Sequence, residues 1–125
     1  MMKFRVYYDD TDAQGIVYHA NYLRFCERAR SEYIFRTLGK DAFSGQSYFV
    51  LTSINAKFRA SARLGDEIEV RSVCAKNSDL AIILEQEILL NEKVIISAEV
   101  QLVYIENGKI SRIPNRFKEI LSKIS

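Results

Sequence analysis

The chain has 125 residues, of which 48% are hydrophobic and 27% are charged, so we expect one domain, residues 1–125, with a packed core. Eighteen Lys and Arg residues against sixteen Asp and Glu residues give a net charge of +2, which does not favour a nucleic-acid-binding or membrane-surface protein. The single histidine and two cysteines show no zinc-type spacing, and no apolar run is long enough for a membrane span.

The cysteines and the N-terminus indicate a cellular compartment. Cys26 and Cys74 lie in apolar surroundings without a Cys-x-x-Cys pair, as is typical of buried thiols in a reducing environment. The first residues alternate charged and apolar side chains, and they contain no apolar stretch of the kind a secretory signal needs. We therefore expect a cytoplasmic protein.

The N-terminal third predicts a strand, a turn and a long helix. Residues 3–8 alternate, with Phe4, Val6 and Tyr8 on one face, and predict a half-buried strand. Residues 9–15 are rich in aspartate and predict a turn. Apolar residues at helical spacing predict a helix over residues 20–38, with Gly39 as its left-handed cap. We expect the arginines of this helix at the surface or between subunits: Arg24, Arg28, Arg30 and Arg36.

The rest of the chain predicts strands joined by short turns. After a polar loop at residues 40–47, alternation predicts strands over residues 50–59, 67–74, 80–90, 94–104 and 110–113. Asn91-Glu92 and Asn107-Gly108 predict tight hairpins, and residues 115–124 predict a short C-terminal helix. Strands joined by tight turns pair antiparallel. We expect an α+β fold in which a curved antiparallel sheet of about five or six strands wraps around the long helix.

Apolar residues on both faces of the predicted sheet indicate association. In the strand that begins at Val94, one face carries Val94 and every second residue after it, and the opposite face carries the apolar residues Ile95, Val103 and Ile105. An earlier strand likewise has Phe49 and Leu51 on its second face. A single helix can cover only one of the two faces. Exposed apolar sheet surface is typical of subunit contacts. We therefore predict a homo-oligomer.

The densest cluster of reactive residues is the connection between the first strand and the long helix, residues 8–22. Asp12 precedes the helix N-terminus, whose free N–H groups and partial positive charge can stabilise an oxyanion. A carboxylate and an amide donor facing one carbonyl would allow acyl transfer or hydrolysis without a serine. By spacing alone, the same segment is also typical of caps, turns and solvated charge, with His19 structural and Gly15 a turn residue.

The run from Val6 to Tyr22, continued by Phe25-Cys26-Glu27-Arg28-Ala29-Arg30-Ser31-Glu32, resembles the signature of hot-dog-fold acyl-CoA thioesterases. It contains Asp-Thr-Asp-x-x-Gly-hydrophobic-Val-Tyr-His and then Glu-Arg-Ala-Arg-x-Glu, and is similar to the YbgC-type branch of the 4-hydroxybenzoyl-CoA thioesterase family. The resemblance implies a hot-dog fold and a homo-oligomer, either a dimer or a homotetramer built as a dimer of dimers, with the active site at a subunit interface. It implies no metal and no cofactor, because coenzyme A is part of the substrate.

The resemblance also implies roles for individual residues. Asp12 would be the catalytic carboxylate, acting either as general base on water or as nucleophile on the thioester carbonyl. The main-chain N–H of His19 would polarise that carbonyl, and the His19 imidazole would orient Asp12, water or substrate. Gly15 would let the loop approach the ligand, and Tyr18 and Tyr22 are candidate substrate contacts, although Tyr22 belongs mainly to the core stripe. Candidate partners of the CoA phosphates are basic residues near strand ends: Lys57, Arg59, Arg63 and Lys76.

The sequence therefore predicts an acyl-CoA thioesterase that hydrolyses acyl-CoA to a free acid and CoA. The alternative from another class is a non-catalytic protein of lipid metabolism that binds acyl-CoA or acyl carrier protein as a scaffold. A hot-dog dehydratase is a second enzymatic alternative, but dehydratases pair a catalytic histidine with an acid in a differently placed motif. Release of free thiol from a panel of acyl-CoAs separates these alternatives.

Overall fold

The computed structural model describes residues 1–43 and 45–125, and in it one antiparallel sheet curls around a long helix. The strands are β1 (Met2–Arg5), β2 (Ser47–Phe58), β3 (Glu67–Asn77), β4 (Ile82–Leu90), β5 (Lys93–Glu106) and β6 (Lys109–Ser111). The helices are α1 (Asn21–Leu38) and α2 (Asn115–Leu121), and a 3₁₀ helix covers Tyr8–Asp10. The strand order is β1-β3-β4-β5-β2, with β6 beside β5. The predicted α+β hot-dog fold is confirmed; Ser44, in the predicted loop at residues 40–47, lies outside the described residues.

Helix α1 packs against β3 and β4, as the helical spacing of its apolar residues predicts. Tyr22, Phe25, Cys26, Ala29 and Ile34 form its buried stripe. The first four share a core with β1, β3 and β4, and Ile34 joins a second core that includes α2 and β5. The helix ends where predicted, because Gly39 has a φ of 95° and its N–H donates to the carbonyl of Phe35.

Both predicted hairpins are confirmed, because their central residues all have positive φ. The values are 50° and 67° at Asn91 and Glu92, and 51° and 78° at Asn107 and Gly108. Two successive positive φ values match the twist of antiparallel strands in a two-residue turn. These turns fix β4–β5 and β5–β6 as antiparallel neighbours.

The first strand is shorter than the alternation of residues 3–8 predicts. β1 ends at Arg5, and the N–H of Tyr7 donates to Oδ2 of Asp10 at 2.9 Å, which starts the 3₁₀ helix. Phe4 and Val6 point into the core as predicted, but Tyr8 is 83% exposed. The prediction failed at Tyr8 because a side-chain bond from Asp10 replaces the ladder bonds of a strand.

A β-bulge changes the two faces of β2. Leu51 pairs with Leu102 and Ser53 with Gln101, so Thr52 is an extra residue. Phe49, Leu51, Ile54 and Phe58 therefore lie opposite β5 residues whose side chains are buried on the helix side of the sheet. The single alternating series over residues 50–59 is wrong for this reason, since period two does not survive an inserted residue.

A second irregularity buries Ile95, which was expected on the outer face. The register between β4 and β5 shifts between Ile88 and Leu89, and Ile95 is 3% exposed within the first core cluster. Val103 is also buried. Four apolar or aromatic side chains of β2 are instead exposed: Tyr48, Leu51, Ile54 and Phe58.

Candidate active site

The connection between β1 and α1 folds back on itself as a small hairpin. Thr11 and Val17 form an isolated bridge, and the N–H of Asp12 donates to the carbonyl of Ile16 at 2.9 Å. Gly15 closes the turn by donating its N–H to the carbonyl of Asp12 at 3.1 Å, and its φ is 76°. A positive φ favours glycine, so Gly15 shapes the loop that carries Asp12.

One oxygen of the Asp12 carboxylate is held, and the other is free for chemistry. Oδ1 accepts the N–H of Gln14 at 2.8 Å, which fixes the side chain above its own turn. Across residues 1–43 and 45–125, no hydrogen bond to Oδ2 is present. The side chain is only partly buried, so Oδ2 can accept a proton from water or approach a bound ligand.

Asp10, by contrast, holds the connection together. Its side chain is buried at 8% exposure and accepts the Tyr7 N–H. Its carbonyl accepts the N–H of Tyr18 at 3.1 Å and the side-chain amide of Asn21 at 2.8 Å. These bonds attach the 3₁₀ helix to the first residue of α1, so Asp10 is a supporting turn residue, as expected from sequence.

The N-terminus of α1 lacks a side-chain cap. Ala20 is the N-cap residue and makes no side-chain bond, and the N–H of Asn21 donates to the Tyr18 carbonyl at 2.8 Å. His19 lies two residues before the first helical residue, and its main-chain N–H has no acceptor among the described residues. An uncapped N-terminus presents donors and a partial positive charge to an anion or a polarised carbonyl.

The His19 imidazole is exposed and lies among aromatic rings. Its centroid is 4.4 Å from that of Tyr18 and 6.3 Å from that of Phe58, which it meets edge-on. Phe58 is the last residue of β2 and is 49% exposed. The end of β2 therefore reaches the start of α1, although the two segments are far apart in sequence.

The segment after β2 forms the second wall of this region. The N–H of Val17 donates to the carbonyl of Ala62 at 2.9 Å, and Ile16 bridges Arg63. The Tyr22 hydroxyl accepts the Ala62 N–H at 2.8 Å, and burial raises the pKa of Tyr22. Tyr22 is therefore a core residue that fastens α1 to this segment.

The predicted phosphate contacts separate into three places. Arg63 is exposed beside the Asp12 turn. Lys57 and Arg59 line a groove of about 410 Å³ on the outer sheet face, and Arg59 donates to the Ser97 hydroxyl. The groove also contains three carboxylates, from Glu85, Glu87 and Glu99. Val70 of β3 lies level with Phe58 of β2 across the sheet. Lys76 is six residues further along β3, so it lies about 20 Å from the level of Phe58.

Sequence reasoning missed the surroundings of two residues, Phe58 beside His19 and Arg30 further along α1. Phe58 was assigned to one face of an alternating strand, and its proximity to His19 depends on the register of β2. Arg30 was expected at the surface or between subunits, but it is half-buried, and its Nη1 donates to Oε1 of Gln86 at 3.1 Å. A buried glutamine at an inward position of β4 was the available signal, because such a side chain needs partners.

Within residues 1–43 and 45–125, no group of three or more His, Cys, Asp or Glu residues is arranged to hold a metal ion. No helix of those residues is long and apolar enough to cross a membrane. Cys26 and Cys74 are both free thiols, and burial raises the pKa of Cys26 to about 11.

Comparison with known proteins gives consistent matches. A family model described as the thioesterase-like superfamily matches residues 6–121. A Helicobacter pylori protein named acyl-CoA thioesterase YbgC is 36% identical over 98% of this chain and 100% of its own length. An Escherichia coli protein named acyl-CoA thioester hydrolase YbgC is 35% identical over 85% of this chain and 81% of that protein. The crystal structure of a probable thioesterase from Bartonella henselae superposes with a TM-score of 0.81 at 33% identity, covering 90% of this chain and 95% of that one.

Proposed function

Because the chain belongs to the thioesterase-like superfamily and, within it, to the YbgC-type acyl-CoA thioesterases, we propose that it hydrolyses the thioester bond of an acyl-CoA to a free acid and CoA. One observation carries the residue assignments. The β1–α1 connection holds Asp12, with one carboxylate oxygen free of hydrogen bonds among the described residues, just before an uncapped helix N-terminus. A carboxylate base or nucleophile together with main-chain oxyanion donors can perform thioester hydrolysis without a metal.

The thioester carbonyl oxygen accepts the main-chain N–H of His19, where the partial positive charge of α1 stabilises the oxyanion that forms. Asp12 acts on the carbonyl carbon in one of two ways. As general base it takes a proton from water, whose oxygen attacks the carbon; the C–S bond then breaks and the proton passes to the departing thiolate. As nucleophile it forms an acyl-aspartyl anhydride with release of the thiolate, and water then hydrolyses the anhydride.

Two variants test these roles in an assay for free thiol with a panel of acyl-CoAs. We expect Asp12→Asn to reduce kcat to near background without loss of stability, because it removes the base or nucleophile but keeps the bond to the Gln14 N–H. His19→Ala should lower kcat less, because its main-chain donor remains. Wild-type-like turnover by Asp12→Asn would refute the assignment. Binding of acyl-CoA or acyl carrier protein without turnover by the wild type would favour the scaffold function.

Isotope labelling separates the two roles of Asp12. In a single turnover in ¹⁸O-labelled water, a general-base path places the label only in the product acid. A nucleophilic path in which water attacks the Asp12 carbonyl places the label in the enzyme, where mass spectrometry of the peptide containing residues 8–22 detects it.

We also propose that the active form is a homo-oligomer that pairs through β2. This strand is at the end of the sheet order, so one edge has no neighbour in the described chain, and it carries exposed Tyr48, Leu51, Ile54 and Phe58. A 12-residue edge strand with an apolar surface favours pairing with a second copy. Two-fold pairing would place the Phe58 end of one strand near the Tyr48 end of its partner. Light scattering should show an even number of subunits, whereas an active monomer would contradict this proposal.

The remaining expectations stay predictions. These are the dimer of dimers, an acyl carrier protein as partner, the cytoplasmic location, a role in lipid metabolism, and activity without metal or cofactor. Full thiol release after exhaustive dialysis against EDTA is the result expected for the last of these.

A further inference from the structure

A second cavity lies between α1 and the first half of β2. It has a volume of about 300 Å³ and is separate in its lining residues from the outer-face groove. Most of its wall is apolar and aromatic, including Phe35, Phe43 and Phe49. Its polar wall comes from one side of α1: Glu27, Arg30 and Ser31. An apolar cavity with a few convergent polar groups is typical of a small-molecule site.

Arg30 is held in this cavity by a buried network. Gln86 is 0% exposed, and its amide nitrogen donates to the Cys26 carbonyl and to the Ser72 hydroxyl, both at 3.0 Å. The Gln86 amide oxygen therefore faces the guanidinium and accepts from Nη1 of Arg30. The position of the Arg30 side chain is thus set by the sheet beneath it, not by solvent.

Most of the hydrogen-bonding capacity of Arg30 remains unused. A guanidinium has five N–H donors, and only one donates to an acceptor in the part of the chain that the structure describes. Arg30 also forms no ion pair there, and the carboxylate that lines the cavity with it, that of Glu27, accepts the Ser31 hydroxyl at 2.8 Å. A half-buried positive charge with free donors favours a planar anionic ligand, since the guanidinium fork matches a carboxylate.

We propose that this cavity binds a carboxylate at the far end of the acyl group, so that the substrates include CoA monothioesters of dicarboxylic acids; this rests on the proposed function. Arg30 lies nine residues after Asn21, about 13 Å along the helix axis, and helical side chains lean towards the N-terminus. Phe58, Ile54 and Leu51 form an apolar path on the helix side of β2 between the two places. The same side chains belong to the surface that we propose pairs with a second copy, so in the dimer this path would lie at the subunit interface. The thioester would lie at His19, the alkyl chain on this path and the carboxylate at Arg30.

The test compares two substrates within each variant. CoA monothioesters of dicarboxylic acids from four to twelve carbons are paired with simple acyl-CoAs of equal length, and kcat/KM is measured for both. The ratio of interest is kcat/KM for the dicarboxylic monothioester divided by kcat/KM for the simple acyl-CoA of equal length. We expect this ratio to peak at one chain length in the wild type. Arg30→Gln should lower that ratio by about tenfold or more, because it removes the charge, and Arg30→Lys should give an intermediate ratio, because it keeps the charge without the fork.

Glu27→Gln is the matched control variant on the same helix face. Glu27 is exposed, and its charge would repel a carboxylate at Arg30, so its removal should raise the ratio. A general loss of stability would lower kcat/KM for both substrates together and leave their ratio unchanged. An unchanged ratio in Arg30→Gln and Glu27→Gln, with normal hydrolysis of simple acyl-CoAs, would overturn this inference but not the proposed function. Failure to hydrolyse any thioester would overturn the proposed function itself.

Discussion

The bond between Tyr22 and Ala62 fastens the N-terminal half of α1 to the segment that follows β2. Tyr22→Phe removes only the phenolic oxygen, which accepts the Ala62 N–H at 2.8 Å. Both residues are buried, at 2% and 0% exposure, so the orphaned N–H is away from water. Leaving a buried donor unpaired costs about 1–3 kcal/mol, and we expect the free energy of unfolding to fall by about 2 kcal/mol.

Tyr33→Phe is the matched control, because it removes the same atom elsewhere on α1. The Tyr33 hydroxyl donates to the carbonyl of Ile120 at 2.6 Å. That carbonyl also accepts the N–H of Lys123 at 3.1 Å, so no group is left without a partner. The expected loss is that of one net hydrogen bond, about 0.5–1.5 kcal/mol.

Urea denaturation followed by circular dichroism measures both losses as shifts of the midpoint at constant slope. Tyr22→Phe should also lower kcat/KM, because the Ala62 carbonyl accepts the Val17 N–H beside the Asp12 turn. Tyr33→Phe should leave kcat/KM unchanged, since it lies near the other end of α1. A loss of stability in Tyr22→Phe no greater than in Tyr33→Phe would refute the reasoning from the unpaired N–H.

Three further changes test other parts of the molecule. Gly15→Ala should cost about 1–2 kcal/mol from its φ of 76° alone, since nothing lies within 4 Å of the added methyl group, and Gly15→Asn should cost less in the same denaturation assay. The hydrogen bond from Lys118 lowers the pKa of Asp79 below its ordinary value of 3.8. The stabilisation that the Asp79 carboxylate gives the fold is therefore complete above pH 3.8 and is lost as the pH falls through the folded-state pKa. The difference in stability between wild type and Asp79→Asn should therefore vanish in acid, and a difference that persists there would contradict this cause. Arg63→Ala should raise KM for acyl-CoA but not for acyl-pantetheine, which lacks the CoA phosphates. Lys76→Ala is the control, because Lys76 lies far from the Asp12 turn. Equal effects of the two variants on KM would argue against a phosphate contact beside that turn.

Much of the fold could be predicted from the sequence, because the signals concerned are local. The helical spacing of α1, the positive φ at Asn107-Gly108 and the break at Gly39 each depend on a few neighbouring residues. The Asp-Thr-Asp-x-x-Gly and Glu-Arg-Ala-Arg segments are also continuous, so the family could be recognised before any contact was known. Two of the errors lie where one extra residue interrupts the alternation of a strand, at Thr52 and beside Ile95, and a third lies at Tyr8, where the Asp10 side chain ends the strand early.

By itself, then, the sequence determined the order and type of the elements, the antiparallel sheet and the segment that carries Asp12 and His19. Only the tertiary structure decided what surrounds that segment. Phe58 meets His19, and Arg30 meets Gln86 56 residues away, because two bulges and the curl of the sheet set which side chains face α1. Period two and period 3.6 describe one strand or one helix, whereas a site between them depends on register across the sheet, which no local pattern encodes.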